Sequence, residues 1–171
     1  MGPTLGSRST ARRSTATDIS KRQASRSAIA RRSWNKPVVG ADPTAAQHDL
    51  HAMAVEQLDQ NFGLLTEGRT FRELSHQAWF PPVDEYRGYS CLFHGVGQCD
   101  EYPFVPFPGS WESAGYDGVV EPDMCFTVES FIGARAGGEG VKLENQYVVT
   151  ESGPELLSHF SLDLVPEIAG R

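Results

Sequence analysis

Apolar residues repeat at helical spacing in the part of the chain that follows residue 41. The three- and four-residue intervals between them are typical of one face of a helix. Asp42 can cap such a helix and Pro43 suits its first position, which predicts a helix that ends near Phe62 or Leu65. The apolar positions concerned are Leu50, Met53, Ala54 and Leu58.

A second, shorter helix is predicted by the sequence Thr70-x-x-Glu73. A threonine followed three residues later by a glutamate forms a capping box, in which each side chain bonds to the other residue's backbone N–H. The helix should run to about Trp79, since the Pro81-Pro82 pair cannot continue it.

The second half of the chain alternates β-prone runs with turn residues. The segment 104–122 is rich in proline, glycine and aromatic residues and is predicted to be a long packed loop. Residues 154–160 are predicted to form a short helix or an irregular end. Three strands are predicted, and together with the helices they indicate an α+β fold: Tyr86–Phe93, Met124–Ile132 and Val141–Thr150.

Alternation along the last two strands assigns their side chains to opposite faces. Phe126 and Val128 fall on one face of their strand, and Glu129 falls on the other with Cys125 and Thr127. A carboxylate in so apolar a run is costly to bury without a partner, so we expect Glu129 to face a site. The following strand places Lys142, Glu144 and Gln146 on one face, a pattern that is also typical of an ordinary solvent face.

Charge divides the chain into two unlike segments. The net charge is −7, but residues 1–36 hold nine basic residues and one acid, whereas the rest is strongly acidic. Residues 1–33 contain few large apolar groups and are predicted to be a disordered tail, an organellar transit peptide or a non-native front. Residues 34–171 form the predicted folded domain. Nucleic-acid binding by the basic segment ranks low, because no aromatic reader accompanies it.

The cysteine and hydropathy patterns bear on the cellular compartment of the protein and on membrane association. The three cysteines, Cys91, Cys99 and Cys125, form no CxxC pair, which indicates neither a disulfide framework nor a zinc knuckle. A reducing compartment is the simplest interpretation, and we expect a cytoplasmic protein unless the first 33 residues are a transit peptide. No apolar run approaches the roughly 18 residues that span a bilayer, so no membrane partner is expected.

The stretch from Phe93 to Pro103 concentrates chemistry-bearing residues. It contains His94 between a predicted strand and the glycines Gly95 and Gly97, followed by Asp100 and Glu101. A neutral imidazole is a common metal ligand, and glycine allows close backbone approach. With Glu129 and Glu144 downstream, His94 would complete an oxygen-rich site for a divalent metal.

These motifs, in this order, resemble the creatinase, prolidase and aminopeptidase P family. The matching pieces are His94-Gly-Val-Gly, Glu101-x-Pro103, Thr127-Val-Glu129 and Leu143-Glu144. The resemblance extends over roughly residues 30 to 171 and is strongest to one branch, the dimethylsulfoniopropionate lyases of the DddP type. It implies part of a pita-bread fold, the C-terminal half, and a site that holds two metal ions.

The same resemblance assigns roles to individual residues. His94, Glu129 and Glu144 would bind a divalent metal, iron first and manganese or zinc as alternatives, with Glu144 bridging two ions. Asp100 stands where family peptidases carry a second histidine. In the lyase branch the corresponding aspartate is thought to remove the α-proton of the small-molecule substrate, so that dimethyl sulfide leaves and acrylate remains. The substrate pocket would be lined by Tyr89, Glu101 and Tyr102.

The chain departs from the family pattern at its front. The family binds its metals with further aspartates from an earlier Asp-x-Asp, and residues 1–27 contain only Asp18. We therefore expect weak metal binding, doubtful activity of the isolated chain, and homodimerisation or self-association through uncovered sheet edges. An Xaa-Pro metallopeptidase and a non-catalytic relative remain the alternatives to a lyase.

Overall fold

A computed structural model describes residues 42–88, 91–97, 101–136, 139–159 and 161–164. The first described element is helix α1, Ala45–Phe62. Its N-cap is Thr44, whose hydroxyl accepts a hydrogen bond from the Gln47 backbone N–H while the Gln47 side chain accepts one from the Thr44 N–H. The prediction that Asp42 caps this helix and that Pro43 opens it is wrong, because this reciprocal capping box begins the helix two residues later. The predicted end near Phe62 is confirmed.

The second helix, α2, spans Phe71–Gln77. Its predicted capping box is confirmed, since Thr70 Oγ1 accepts from the Glu73 N–H at 3.1 Å and Glu73 Oε2 accepts from the Thr70 N–H at 2.8 Å. The helix ends two residues before Trp79, because Ala78 already has an extended backbone with φ −57° and ψ 139°.

An antiparallel sheet forms the centre of the fold in the described part of the chain. Its strands are β1 Tyr86–Arg87, β2 Cys91–Gly95, β3 Phe104–Pro106, β4 Cys125–Ala134, β5 Gly140–Thr150 and β6 Gly153–Leu156. The strand order is β3-β2-β4-β5-β6, and β1 pairs with the far end of β4. The mixture of helices and one antiparallel sheet confirms the α+β class.

Two predicted irregular segments contain regular structure. The segment 104–122 includes strand β3, a 3₁₀ turn at Pro108–Ser110 and the short helix α3, Trp111–Ala114. Residues 153–156 form the edge strand β6, so the prediction of a helix or irregular end from residue 154 is wrong there. In both places, pairing with a neighbouring strand supplies backbone hydrogen bonds that local sequence patterns do not reveal.

Helix α1 covers one face of β4 and β5. The apolar side chains Phe126, Val128 and Leu143 are buried on that side, in one cluster with Leu58. A buried hydrogen bond of 2.8 Å from Ser130 Oγ to Gln57 Oε1 joins the helix to the sheet. Since alternate strand residues point to opposite faces, the polar residues between these apolar positions lie on the other face of the sheet.

Several sequence predictions fall on residues that the structure does not describe. These include the tail at residues 1–33, Tyr89 and Asp100. Within the described residues, no helix is both long enough and apolar enough to span a membrane.

Candidate metal centre

Three neighbouring strands bring His94, Glu129 and Glu144 together on the sheet face opposite α1. In the register of β2 and β4, His94 lies across from Thr127, two residues from Glu129 on the same face. In the register of β4 and β5, Glu129 lies directly across from Glu144. The period of two along each strand therefore puts all three side chains on one surface patch.

The imidazole of His94 points at both carboxylates. Its Nε2 atom lies 3.2 Å from Glu129 Oε2 and 3.9 Å from Glu144 Oε1. His94 is 7% exposed and Glu129 only 1%. A buried cluster of one imidazole nitrogen and several carboxylate oxygens is chemically suited to bind a cation.

A backbone carbonyl fixes the orientation of the histidine ring. His94 Nδ1 lies 2.9 Å from the Gly95 carbonyl oxygen, which can only accept a hydrogen bond. Nδ1 therefore carries a hydrogen, and the lone pair of a neutral ring lies on Nε2, facing carboxylate oxygens. Two sets of lone pairs at this distance require a positive charge between or beside them, either a proton or a metal ion.

The pKa shifts of the buried pair follow from this arrangement. Burial disfavours the imidazolium, but the hydrogen bond to Glu129, the Gly95 carbonyl and the charge of Glu144 outweigh it and raise the pKa of His94. Burial also opposes the charge on Glu129, yet the close ion-pair contacts with His94 and Lys142 outweigh that effect and lower the pKa of Glu129. The contacts with His94 and Lys142 thus favour the anionic form of Glu129.

Lys142 belongs to the same cluster. Its Nζ atom lies 2.5 Å from Glu129 Oε1 and 3.9 Å from Glu144 Oε2. Sequence reasoning placed Lys142 on a solvent face and gave it no role in the site. The sequence feature that could have indicated a role is the two-residue spacing between Lys142 and Glu144. That spacing puts both side chains on one face of their strand, and it is the face of the sheet that carries Glu129.

The side chains of His94, Glu129 and Glu144 are chemically suitable ligands for a divalent metal, but their present positions do not form a metal-binding geometry. An imidazole nitrogen and two carboxylates are ligands that iron, manganese and zinc accept. As the side chains stand, no group of three or more His, Cys, Asp or Glu residues in the described part of the chain is arranged to hold a metal ion. The ammonium of Lys142 instead pairs with the carboxylate of Glu129 and lies near that of Glu144.

Thr127 adds an unpartnered polar atom beside the cluster. It is fully buried at 0% exposure, and its Oγ1 has no hydrogen-bond partner among the described residues. Because Thr127 lies across from His94 on the same face, its hydroxyl is available to a ligand or water at the site.

The predicted pocket residues are only partly described. Tyr89 lies outside the described residues, as does the predicted base Asp100. Glu101 is exposed, and Tyr102 is 58% exposed and stacks on Tyr116 with ring centroids 5.6 Å apart. Burial raises the pKa of Tyr116, so its phenol is neutral. Sequence reasoning did not assign Tyr116 to the site.

Comparison with known proteins identifies the family. The model of metallopeptidase family M24 matches residues 27–151. The chain belongs to metallopeptidase family M24. Membership agrees with the predicted family, which is named for metal-dependent peptidases.

Two curated relatives of this M24 chain are dimethylsulfoniopropionate lyases named DddP. The protein from Roseovarius nubinhibens is 37% identical over 134 residues, which is 77% of this chain and 28% of the relative. The protein from Roseobacter denitrificans is 36% identical over 110 residues, which is 64% of this chain and 25% of the relative. The chain therefore spans about a quarter of the length of these relatives.

The solved structures confirm the fold of this M24 chain. The Xaa-Pro dipeptidase from Bacillus anthracis superposes with a TM-score of 0.59 and 22% identity, covering 75% of this chain and 35% of the dipeptidase. The described sheet and helices thus form part of a pita-bread fold. At this level of identity, the likeness concerns the fold alone.

Proposed function

We propose that this chain forms the metal-binding part of a lyase that cleaves dimethylsulfoniopropionate into dimethyl sulfide and acrylate. The observation that carries the proposal is the convergence of His94 Nε2 on two carboxylates, at 3.2 Å and 3.9 Å, in a chain 37% identical to a lyase of that name. The three side chains are those that the sequence resemblance assigns as metal ligands.

Different residues of the chain would bind the metal and remove the proton in the elimination. His94, oriented by the Gly95 carbonyl, and the carboxylates of Glu129 and Glu144 would hold the cation. A divalent ion bound there would polarise the substrate carboxylate and stabilise negative charge developing beside it. Asp100 would accept the α-proton, the electron pair would form the new double bond, and the carbon–sulfur bond would break with its electrons leaving on dimethyl sulfide.

Burial supports this assignment in a second way. Glu129 is almost entirely removed from water, and a buried carboxylate interacts more strongly with a cation than an exposed one does. Tyr89, Glu101 and Tyr102 remain the proposed pocket residues. Iron is the first choice of metal, with manganese and zinc as alternatives.

Xaa-Pro hydrolysis is the second candidate function. The fold of the Bacillus anthracis Xaa-Pro dipeptidase supports it, as does membership of a peptidase family. Against it stands Asp100 in the place where family peptidases carry a second histidine. A non-catalytic role is the third candidate.

Product analysis distinguishes these functions. The full chain is assayed beside a chimaera in which residues 42–171 replace the matching segment of the Roseovarius nubinhibens relative, with Fe²⁺, Mn²⁺ or Zn²⁺ supplied. We expect the chimaera to release acrylate and dimethyl sulfide, and not proline from an Xaa-Pro dipeptide. Release of proline alone would establish the peptidase, and a metal-loaded, folded chimaera without either activity would indicate a non-catalytic segment.

A further inference from the structure

The ammonium of Lys142 lies beside both carboxylates that are proposed to bind a cation. Lys142 extends from β5 on the same face as Glu144, and its ammonium contacts Glu129 Oε1 at 2.5 Å and approaches Glu144 Oε2 at 3.9 Å. The oxygen atoms that would bind a metal are therefore in part engaged by a positive charge that the chain itself supplies.

The buried glutamate explains why such a charge is needed. At 1% exposure, Glu129 has little water to solvate its carboxylate, and an unpaired buried charge is strongly unfavourable. Lys142 and His94 both face it, on different oxygens. The pairing therefore reduces the cost of burying the Glu129 carboxylate.

The same ammonium is incompatible with a divalent ion on these carboxylates. Two positive charges a few ångströms apart in a poorly hydrated site repel each other strongly. The lysine side chain is long and flexible, and that of Lys142 is already 32% exposed, so it can move towards solvent while its Cα stays in the strand.

We infer that Lys142 is the resident counter-charge of Glu129 and that a divalent cation binds to this carboxylate only by displacing the ammonium. The inference rests on the proposed metal-binding function. It adds that Lys142 competes with the metal for the carboxylate of Glu129. The three ligands His94, Glu129 and Glu144 would then raise the affinity for metal, and Lys142 would lower it.

Metal titration of the full chain tests this inference. Mn²⁺ binding is measured by calorimetry for the natural chain and for Lys142→Met, which keeps the apolar stem and removes the charge. We expect Lys142→Met to bind Mn²⁺ at least about tenfold more tightly, since affinity at such sites follows the local charge. Its metal-free form should melt at a lower temperature, and saturating Mn²⁺ should raise its melting temperature more than that of the natural chain.

Arg135→Met is the matched control for a lost positive charge. Arg135 is exposed and its Nε donates to the Val83 carbonyl, so this variant should bind Mn²⁺ as the natural chain does. Lys142→Arg keeps the charge and should not gain affinity. Equal or weaker binding by Lys142→Met overturns the inference and leaves the metal site itself standing. Absence of binding in every variant overturns both the inference and the proposed metal-dependent function.

Amine labelling tests the displacement without any substitution. The chain has three lysines, Lys21, Lys36 and Lys142, and acetylation of each is followed by mass spectrometry with and without saturating Zn²⁺. We expect the labelling rate of Lys142, relative to the other two, to rise when zinc binds. An unchanged or reduced relative rate in a zinc-loaded chain would show that Lys142 stays on Glu129, which contradicts the inference.

Discussion

Replacing Asp100 with asparagine is expected to reduce acrylate production by about 10²- to 10⁴-fold, the usual cost of losing a general base. The substitution preserves size and much of the hydrogen-bonding capacity, but it removes the charge and the basic lone pair. Because Asp100 is not among the proposed ligands, metal content should be unchanged. The measurement pairs an acrylate assay of the chimaera with elemental analysis of its metal.

His94→Ala is the contrasting variant for this test. It removes a proposed ligand whose Nε2 faces both Glu129 and Glu144, so metal and activity should be lost together. If Asp100→Asn instead keeps near-normal acrylate production with metal bound, Asp100 is not the base. The base would then have to be sought at Glu101 or at a tyrosine of the pocket.

Gly95→Ala is expected to destabilise the chain by about 3 kcal/mol, at the upper end of the usual cost of overpacking. A Cβ at Gly95 would lie 2.0 Å from the Tyr102 carbonyl oxygen and 2.4 Å from Pro103 Cδ. The Gly95 N–H also donates to the Pro103 carbonyl at 2.7 Å. The strand end beside His94 and the segment after Asp100 are therefore packed too closely for any side chain. Thermal denaturation should show a melting temperature lower by roughly 10 °C.

Gly63→Ala is the matched control for the second prediction. Gly63 has a right-handed helical φ of −63°, and nothing lies within 4 Å of the position that its Cβ would take. Alanine there should be neutral or stabilise the chain by up to about 1 kcal/mol, because it restricts the unfolded state. Equal melting temperatures for Gly95→Ala and Gly63→Ala would show that Tyr102 and Pro103 do not pack on His94's strand.

Local rules in the sequence predicted the parts of the fold that depend on neighbouring residues. The Thr70 and Glu73 capping box needs only three residues of spacing, and the alternation that turns Glu129 away from Phe126 needs only the period of a strand. Both are confirmed. The first cap was misassigned because Asp42 and Thr44 are both good capping residues. Only the hydrogen bond that the Thr44 N–H donates to the Gln47 side chain decides between them.

Pairing across the sheet explains what the sequence did not predict. Strand β6 contains Gly153 and Pro154, which disfavour a strand locally, and it forms because β5 offers an unpaired edge. The role of Lys142 has the same origin. Its own strand resembles a solvent face, and only the register that sets Glu144 across from Glu129 shows that the face carries a buried carboxylate.

The location of a bound metal tests the central claim most directly. Crystals of the full chain grown with Zn²⁺ would give an anomalous difference map that locates the ion independently of any activity. We predict one peak at about 2.0–2.2 Å from His94 Nε2 and from carboxylate oxygens of Glu129 and Glu144. Lys142 Nζ should then lie well beyond 2.5 Å from Glu129 Oε1, the distance that separates them in this structure. A zinc peak at other residues, or no peak while the Lys142–Glu129 pair stays intact, would contradict the account.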